Sequence, residues 1–255
     1  MEKFDVKQYD IFKAGNHMVV CGSSTDEEFI KGMVGPTGIK IRMILTDPPY
    51  GVAYVENKKD FNKLGKRDAK AIIGDQLQGD EEYKQFTSKW LKAIAPYLDS
   101  YNSAYIFNSD AMYPALRAGM EDAGFYYSQG LIWIKNSVVV GRKDYLPQHE
   151  LIAYGWHGRH KFERPKAKSI ILYPKPTRSK LHPTMKPPGL LRKLIPNSTK
   201  MGEWVYDPFG GSGSTLIACE HLQRRCLMVE LDPQYVSTIL ARWEKLTGQK
   251  VEKLT

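Results

Sequence analysis

Four consecutive residues, Asp47-Pro48-Pro49-Tyr50, combine a carboxylate, two rigid proline units and a phenol ring. A carboxylate only accepts hydrogen bonds, and a proline has a carbonyl but no N–H. Asp47 and the Pro48 carbonyl therefore predict an acceptor pocket that suits an amino group with two hydrogens. Tyr50 adds a flat face on which a planar ring can stack, so the set fits an exocyclic amine on a nucleobase. The plain structural alternative is a Pro-Pro turn with a helix-capping Asp and a core tyrosine, because short motifs also occur by chance.

A second set of residues reads Asp207-Pro208-Phe209-Gly210-Gly211-Ser212-Gly213-Ser214-Thr215. Glycines let a backbone approach a ligand closely, and a predicted helix N-terminus follows them. Glu230 ends the next predicted strand about 20 residues later, where an acid can hold ribose hydroxyls. This order would suit a dinucleotide, but an acid before the glycines repels a pyrophosphate. Asp207 suits instead a ligand with a cationic ammonium or sulfonium, such as S-adenosylmethionine.

Apolar runs of strand length alternate with amphipathic helical segments, which is typical of the α/β class. The run at 41–46 is rich in Ile and Leu, and the prolines after it cannot extend a ladder, so it predicts a buried parallel strand. In open α/β sheets ligands bind at the carboxyl ends of such strands. Ser24 or Thr25 is expected to cap the first helix. We predict further strands at 18–21, 104–107, 131–134, 151–154, 204–206 and 225–229, and helices at 26–33, 80–98, 111–123, 186–195, 216–222 and 233–246.

The composition favours a globular protein with a polyanionic partner. The chain has 255 residues, of which 42% are hydrophobic, and a net charge of +9. Its three cysteines, Cys21, Cys219 and Cys226, lie among apolar neighbours without metal-ligand spacing, so we expect buried free thiols in a reducing compartment and no bound metal. There is no membrane-spanning apolar run and no signal-peptide pattern at the first residues, so we expect a cytoplasmic protein.

Two basic stretches are candidates for nucleic-acid contact. Residues 156–181 contain eight basic side chains against one acid, with Trp156, Phe162 and Tyr173 interleaved, and predict a short target-recognition insert. Residues 55–74 are lysine-rich, lack periodicity and come soon after Tyr50, which favours a mobile DNA-contacting or lid loop. A solvated surface loop is the alternative for both stretches. The predicted DNA-contacting residues are Lys58, Lys59, Arg159, Lys161, Lys166, Lys168 and Lys175.

Taken together, these motifs resemble those of the amino-methylating DNA methyltransferases of the permuted beta order, in which Asp-Pro-Pro-Tyr precedes the cofactor motif. The resemblance covers nearly the whole chain, from about His17 to Gly248, and is greatest to phage and prophage orphan enzymes without a partner endonuclease. It rests on Asp-Pro-Pro-Tyr-Gly-Val at 47–52, Gln148-His149-Glu150, Tyr154-Gly155-Trp156, His182-Pro183-Thr184-Met185-Lys186-Pro187, residues 207–220 and Glu230-Leu231-Asp232-Pro233.

The resemblance implies roles for the matching residues. Asp47 and the Pro48 carbonyl would bind the target amine, with Pro49 in the same catalytic motif, and Tyr50 would stack on the flipped base. The cofactor would be held by Ser23, Thr184, Lys186, Asp207, Phe209, Gly210, Gly211, Gly213 and Glu230. Such enzymes usually carry Gly-Asp after the first strand, where the acid reads the cofactor adenine. Here Gly22 precedes a serine, so Ser23, Ser24 or Asp26 would substitute, or cofactor affinity would be reduced.

The resemblance also implies a fold and an activity. We expect one methyltransferase domain over residues 1–255, with a Rossmann-like, seven-stranded, mainly parallel sheet and helices on both faces. The expected activity is site-specific methyl transfer from S-adenosylmethionine to adenine N6 in double-stranded DNA by base flipping. Cytosine N4 is the runner-up, since Asp at position 47 favours adenine and Ser favours cytosine in the family.

Other classes of function stay open on the sequence. A non-catalytic DNA-binding protein is conceivable because of Ser23, although intact Asp47, Asp207 and Glu230 oppose it. An RNA or protein-glutamine methyltransferase usually has Asn in place of Asp47. A homodimer on the DNA of a bacterial cell is expected from the resemblance, in restriction-modification, orphan regulation or phage protection.

Overall fold

One mixed sheet runs through the chain, whose computed structural model describes residues 4–50, 79–138, 144–164, 166–175 and 185–255. Within those ranges the strand order is β10-β1-β2-β9-β8-β3-β4-β6-β5-β7. The strands are β1 (Ile11–Ala14), β2 (His17–Cys21), β3 (Ile41–Thr46), β4 (Leu98–Asn108), β5 (Phe125–Ile134), β6 (His149–His157), β7 (Ile170–Leu172), β8 (Trp204–Asp207), β9 (Arg225–Glu230) and β10 (Glu252–Lys253).

The centre of the sheet is parallel. Strands β2, β9, β8, β3 and β4 pair in that order and run in one direction. Every residue of β3 is buried, because parallel strands are covered on both faces and read as continuous apolar runs. The prediction of a strand at 41–46 is therefore confirmed. We call the edge where these strands end, at Thr46, Asn108 and Asp207, the carboxyl edge, and the opposite edge the amino edge.

The remaining strands extend this centre on both sides. Strand β6 is antiparallel to β4 and to β5, so it begins at the carboxyl edge with His149 and ends at the amino edge with His157. The α/β class with a Rossmann-like, partly parallel sheet is confirmed, but the predicted number of seven strands is too low. Three further strands lie at the two ends of the strand order: β1 and β10 beyond β2, and β7 beside β5. They have four, two and three residues, which is too short for a periodic pattern.

Helices cover both faces of the sheet, as predicted. The helices of the described ranges are α1 (Glu27–Val34), α2 (Asp80–Ile94), α3 (Tyr113–Asp122), α4 (Pro188–Ser198), α5 (Ser214–Leu222) and α6 (Pro233–Thr247). Helices α1 to α3 bury Ile30, Trp90 and Leu116 in one core, whereas α4 to α6 bury residues such as Leu190 and Leu240 in the other. All three cysteines are buried, as expected. No helix in these described ranges is long and apolar enough to cross a membrane.

Two local predictions need correction. The N-cap of α1 is Asp26, whose carboxylate accepts from the Phe29 N–H, and not Ser24 or Thr25. Helix α2 ends at Ile94 and not at residue 98, because a 3₁₀ turn over Ala95–Tyr97 contains a proline, which cannot donate to the helical hydrogen-bond pattern. Strand β4 then starts at Leu98, six residues before the predicted start at 104.

Candidate active site

The two motifs meet at the carboxyl edge because their strands are neighbours. Strands β3 and β8 pair in parallel, with Ile44 opposite Tyr206. Asp47 follows β3 directly, and Asp207 is the last residue of β8. The Thr46 hydroxyl donates to Asp207 Oδ1 at 2.7 Å. Residues that are 161 positions apart in the chain are thus joined through one hydrogen bond.

The Asp47 carboxylate is held by two donors of the protein itself. The Tyr50 hydroxyl donates to Asp47 Oδ1 at 2.7 Å, and the Lys186 ammonium forms an ion pair with Oδ2. The Asp47 side chain keeps 23% exposure, whereas that of Lys186 is only 7% exposed. Asp47 therefore faces the surface of the site, with the lysine behind it.

Behind Lys186 lies a second ion pair that the sequence did not identify. Glu150 Oε2 lies 3.2 Å from Lys186 Nζ, and Glu150 Oε1 lies 2.6 Å from Lys135 Nζ. Glu150 belongs to one of the motifs that carry the resemblance but has no predicted role, and Lys135 belongs to none of these motifs. Only the pairing of β5 with β6, which sets Trp133 opposite Glu150, brings these side chains together. A sequence pattern carries no sign of that pairing.

Asp47, Glu150 and Lys186 have shifted pKa values. Burial raises the pKa of Asp47 above its usual value, although the Lys186 ammonium acts in the opposite direction. Burial also acts against ionisation of Glu150, yet Lys186 and Lys135 together hold its pKa below the usual value. Burial opposes charge on Lys186 as well, but Asp47 and Glu150 hold its pKa above the usual value. Lys186 is thus the cation that two carboxylates share.

The glycine turn after β8 is built for close approach. Gly211 and Gly213 have φ of +52° and +81°, a region that favours glycine. A Cβ on Gly210 would lie 2.8 Å from Met228 Cγ, so the turn packs directly on β9. Phe209 packs against the rings of Phe86 and Trp90 on α2. The backbone of the turn is therefore fixed between a strand and a helix.

The two acids beside this turn are held by hydroxyl and backbone N–H donors. Asp207 accepts from the Thr46 hydroxyl and the Phe209 N–H, and Glu230 accepts from the N–H groups of Gly211 and Asp232 at 2.7 and 2.8 Å. Burial raises the pKa of Asp207 to about 7 and that of Glu230 to about 7. In the ranges that the structure describes, no lysine or arginine forms an ion pair with either acid.

The serine at position 23 lies beside Glu230. The Gly22 N–H donates to the Glu230 carbonyl at 2.9 Å, and the Ser23 hydroxyl is paired with the Thr25 hydroxyl at 2.8 Å. Of the three residues considered as substitutes for the missing acid, Asp26 caps α1 and Ser24 is buried. Ser23, which is half-buried, stays as the predicted substitute.

The remaining predicted cofactor residues divide in position. Six of them lie around the glycine turn: Asp207, Phe209, Gly210, Gly211, Gly213 and Glu230. The structure brings Lys186 instead to Asp47 and Glu150, so its predicted part in the cofactor pocket stays a prediction. Thr184 lies outside the described residues, as do Lys58, Lys59 and the whole basic stretch 55–74.

The described members of the predicted DNA-contacting set lie at two ends of the sheet. Arg159 and Lys161 are at the amino edge: the Asn102 N–H donates to the Arg159 carbonyl, and Arg42 Nη2 lies 3.5 Å from the Lys161 carbonyl. Asn102 lies six positions before Asn108, which is at the carboxyl edge. Six positions of extended strand span about 20 Å. The structure therefore does not bring Arg159 and Lys161 to Asp47.

The chain then returns toward the carboxyl edge through β7. Lys166 and Lys168 are exposed and precede β7, which runs parallel to β5. The Lys175 N–H donates to Asn136 Oδ1 at 2.8 Å, next to Lys135 of the charged cluster. Lys175 thus lies next to the charged cluster, and Lys168 lies two residues before Ile170, which pairs with Ile132 near the end of β5.

The chain is similar to known DNA methylases. The N6/N4 DNA methylase family model matches residues 41–241. A curated relative, the type II methyltransferase M.HpaI of Haemophilus parainfluenzae, is 26% identical over 222 residues, and the match covers 77% of this chain and 66% of that protein.

Solved structures show the same fold. The M1.HpyAVI–SAM complex has a TM-score of 0.64 at 24% identity, covering 88% of this chain and 98% of that one. The cytosine-N4-specific PvuII DNA methyltransferase has a TM-score of 0.68 at 17% identity, with 92% of each chain covered.

Proposed function

This chain belongs to the N6/N4 DNA methylase family, and from that premise we propose that it transfers a methyl group from S-adenosylmethionine to an exocyclic amine of a base in double-stranded DNA. One observation carries the proposal. The acceptor pocket at Asp47 and the glycine turn at Asp207 adjoin at the carboxyl edge, joined by the Thr46 hydrogen bond of 2.7 Å. A methyl donor in the turn would therefore lie next to an amine at Asp47.

The turn fits S-adenosylmethionine in its chemistry. Asp207 and Glu230 are buried acids whose charge the described residues leave without a cation, and a ligand that brings an ammonium and a sulfonium compensates such a charge. Ribose hydroxyls are donors that a carboxylate such as Glu230 accepts. A Cβ on Gly210 would meet Met228 and one on Gly213 would meet Ile239, so these glycines let the turn lie close against β9 and α6. Ser23 would lie beside the adenine end.

The residues at Asp47 prepare the amine for attack. When bound, S-adenosylmethionine supplies an electrophilic methyl group on a positively charged sulfur. The nitrogen of a base amine is a poor nucleophile because its lone pair is delocalised into the ring. Asp47 and the Pro48 carbonyl accept its two hydrogens and stabilise the positive charge that develops on the nitrogen. Tyr50 stacks on the extruded ring, which offsets part of the cost of taking the base out of the duplex.

We propose adenine N6 as the target and cytosine N4 as the second candidate. Either amine suits two acceptors, so the local chemistry does not choose between them. Asp rather than Ser at position 47 favours adenine by resemblance to the family. The fold that this chain shares with a cytosine-N4-specific enzyme keeps the second candidate in place.

Nucleoside analysis of methylated DNA tests the activity and the base together. Purified protein, plasmid DNA and S-adenosylmethionine are incubated, the DNA is digested, and the nucleosides are identified by mass spectrometry. N6-methyladenine as the new nucleoside supports the proposal, and N4-methylcytosine moves the target to the second candidate. Asp47→Ala is the control for contaminating enzymes. If neither nucleoside forms although the cofactor binds, the proposed transfer to DNA is wrong.

We further propose that the DNA is contacted by Lys168 and Lys175 and not by Arg159 and Lys161. The four residues offer two matched double variants, each of which removes two positive charges. Lys168→Ala with Lys175→Ala should weaken DNA binding and reduce its logarithmic salt slope by about two, or about one for each lost phosphate contact. Arg159→Ala with Lys161→Ala should leave the slope unchanged. Equal effects of the two pairs would contradict the placement of the duplex at the carboxyl edge.

A further inference from the structure

Four charged side chains form an unbranched series at the site, with acids and bases alternating. The order is Asp47, Lys186, Glu150 and Lys135, in which Lys186 bridges the two acids and Glu150 bridges the two lysines. The two lysines are its more buried members: the side chains of Asp47 and Glu150 are 23% and 19% exposed, whereas those of Lys186 and Lys135 are 7% and 3% exposed. Two negative and two positive charges cancel, so the series is neutral as a whole.

The outer end of this series conflicts with the task of Asp47. Both oxygens of the Asp47 carboxylate already accept from a donor of the protein, Oδ1 from Tyr50 and Oδ2 from Lys186. A base amine that enters must share or replace these donors. The Lys186 ammonium also opposes the positive charge that develops on the amine nitrogen, unless another anion compensates it.

A single atom is placed to receive both donors. Glu150 Oε2 lies 3.2 Å from Lys186 Nζ and 3.4 Å from the Tyr50 hydroxyl. The two groups that occupy Asp47 thus share one alternative acceptor. Glu150 is held in place, because its other oxygen lies 2.6 Å from the Nζ of Lys135, the residue that directly follows β5.

We propose that Glu150 is a positioning residue for the methyl transfer, which takes over the Lys186 ammonium and the Tyr50 hydroxyl when the target amine binds Asp47. Lys135 anchors Glu150 in this role. The inference rests on the proposed function, since it concerns the same amine pocket. It assigns a task to two residues, Glu150 and Lys135, that touch neither the base nor the cofactor.

Charge counting predicts how variants of the series behave. Glu150→Gln gives the series a net charge of +1 and leaves Asp47 as the carboxylate partner of Lys186 within the series. The turnover number should therefore fall at least about tenfold. Lys186→Met leaves the series at −1, which should also lower turnover because Asp47 then ionises at a higher pH. Combining Glu150→Gln with Lys186→Met restores neutrality, and the Gln amide oxygen still accepts from Tyr50. The double variant should therefore be more active than Glu150→Gln alone.

The first experiment is a double-mutant cycle on purified full-length protein. Turnover number, KM for DNA and the Kd for S-adenosylmethionine are measured for the wild type, both single variants and the double variant. Wild-type methylation of DNA is established first, so that failure of the proposed function is seen separately. Glu121→Gln, which removes a surface partner of Arg117, is the matched control and should retain turnover. We expect the Kd of the Glu150→Gln variant to stay within about twofold of the wild type.

The second experiment measures the ionisation of Asp47 without cofactor or DNA. Carbon-13 NMR of aspartate-labelled protein, assigned with Asp47→Asn, follows the carboxyl signal over pH. The Asp47 pKa should rise in Lys186→Met and fall again in the double variant, because Lys186 lowers and Glu150 raises it. Both proteins contain Lys186→Met, so this comparison holds even if Glu150→Gln alone does not fold.

Three results would overturn the proposal. The first is a turnover number for Glu150→Gln within about twofold of the wild type. The second is a double variant whose losses multiply, as they do for two residues that support the structure independently. The third is an Asp47 pKa that does not fall when Glu150→Gln is added to Lys186→Met.

Discussion

Asp47 and Asp207 are the same type of residue at the ends of two neighbouring strands, but the fold treats their charges differently. Asp47 is ion-paired to Lys186, which is in turn shared with Glu150. Asp207 is 3% exposed and is stabilised only by hydroxyl and N–H donors. Its pKa is accordingly raised by burial to about 7, and so is that of Glu230 in the same turn.

The difference indicates what supplies the positive charge beside each acid. A buried carboxylate without a cation is costly unless a ligand supplies one. Asp207 therefore suits a ligand that arrives positively charged, such as a sulfonium with its ammonium group. Asp47 meets a neutral amine that becomes positive only during transfer. The Lys186 ammonium favours the ionised form of this second acid, although burial raises the pKa of Asp47 above its usual value.

The largest expected effect comes from removing Asp47. Asp47→Ala deletes one of two acceptors for the amine and leaves the glycine turn intact, so the turnover number should fall by at least about two orders of magnitude. The Kd for S-adenosylmethionine, measured by calorimetry, should be nearly unchanged. Near-normal methylation by this variant would show that Asp47 is not part of the chemistry.

Removing the charge of Asp207 should have the opposite profile. Asp207→Asn keeps the shape and an acceptor for Thr46 but loses the anion, so the Kd for S-adenosylmethionine should rise about 10- to 100-fold, as for loss of a charged hydrogen bond. Turnover at saturating cofactor should change less than in Asp47→Ala. A variant that binds the cofactor normally would remove the distinction between the two acids.

The sequence predicted one of these sites more completely than the other. The glycine turn is local: Asp207, Phe209 and the glycines are neighbours in the chain, and Glu230 follows one helix and one strand later. The Asp47 cluster draws Lys186, Glu150 and Lys135 from segments far apart in the chain. Side chains from distant strands meet through strand pairing, which local periodicity does not report.

The same reasoning applies to the fold and to the basic stretch. The buried strand β3 was predicted at its residues, because a continuous apolar run bounded by prolines is a strong signal, whereas the longer strands β4, β5 and β6 were predicted over only part of their length. The three-residue β7 was not predicted, since Ile170 and Leu172 are exposed and only Ile171 faces the core. Without β7, the stretch 156–181 looks like one basic loop. With β7, the described part of the stretch, 156–164 and 166–175, runs from the amino edge back toward the carboxyl edge and divides its lysines and arginines between them.

The smallest expected effect is the pH dependence of cofactor binding. The pKa of Asp207 is raised to about 7, so the free protein holds a proton there below pH 7, whereas a cationic ligand binds the ionised acid. Affinity should therefore increase as the pH rises through about 7, by up to about tenfold between pH 6 and pH 8, with release of protons on binding. Glu230, with a pKa also raised to about 7, acts in the same direction.

Calorimetry in two buffers of different ionisation enthalpy measures the affinity and the protons together. The same pH series is measured for Asp207→Asn. Dividing the wild-type affinity by that of Asp207→Asn at each pH removes the contribution of the ligand's own ionisation. Asp47→Ala should keep the wild-type pH dependence. If the divided curve is flat from pH 6 to pH 8, Asp207 is already ionised in the free protein, and the contrast with Asp47 does not hold.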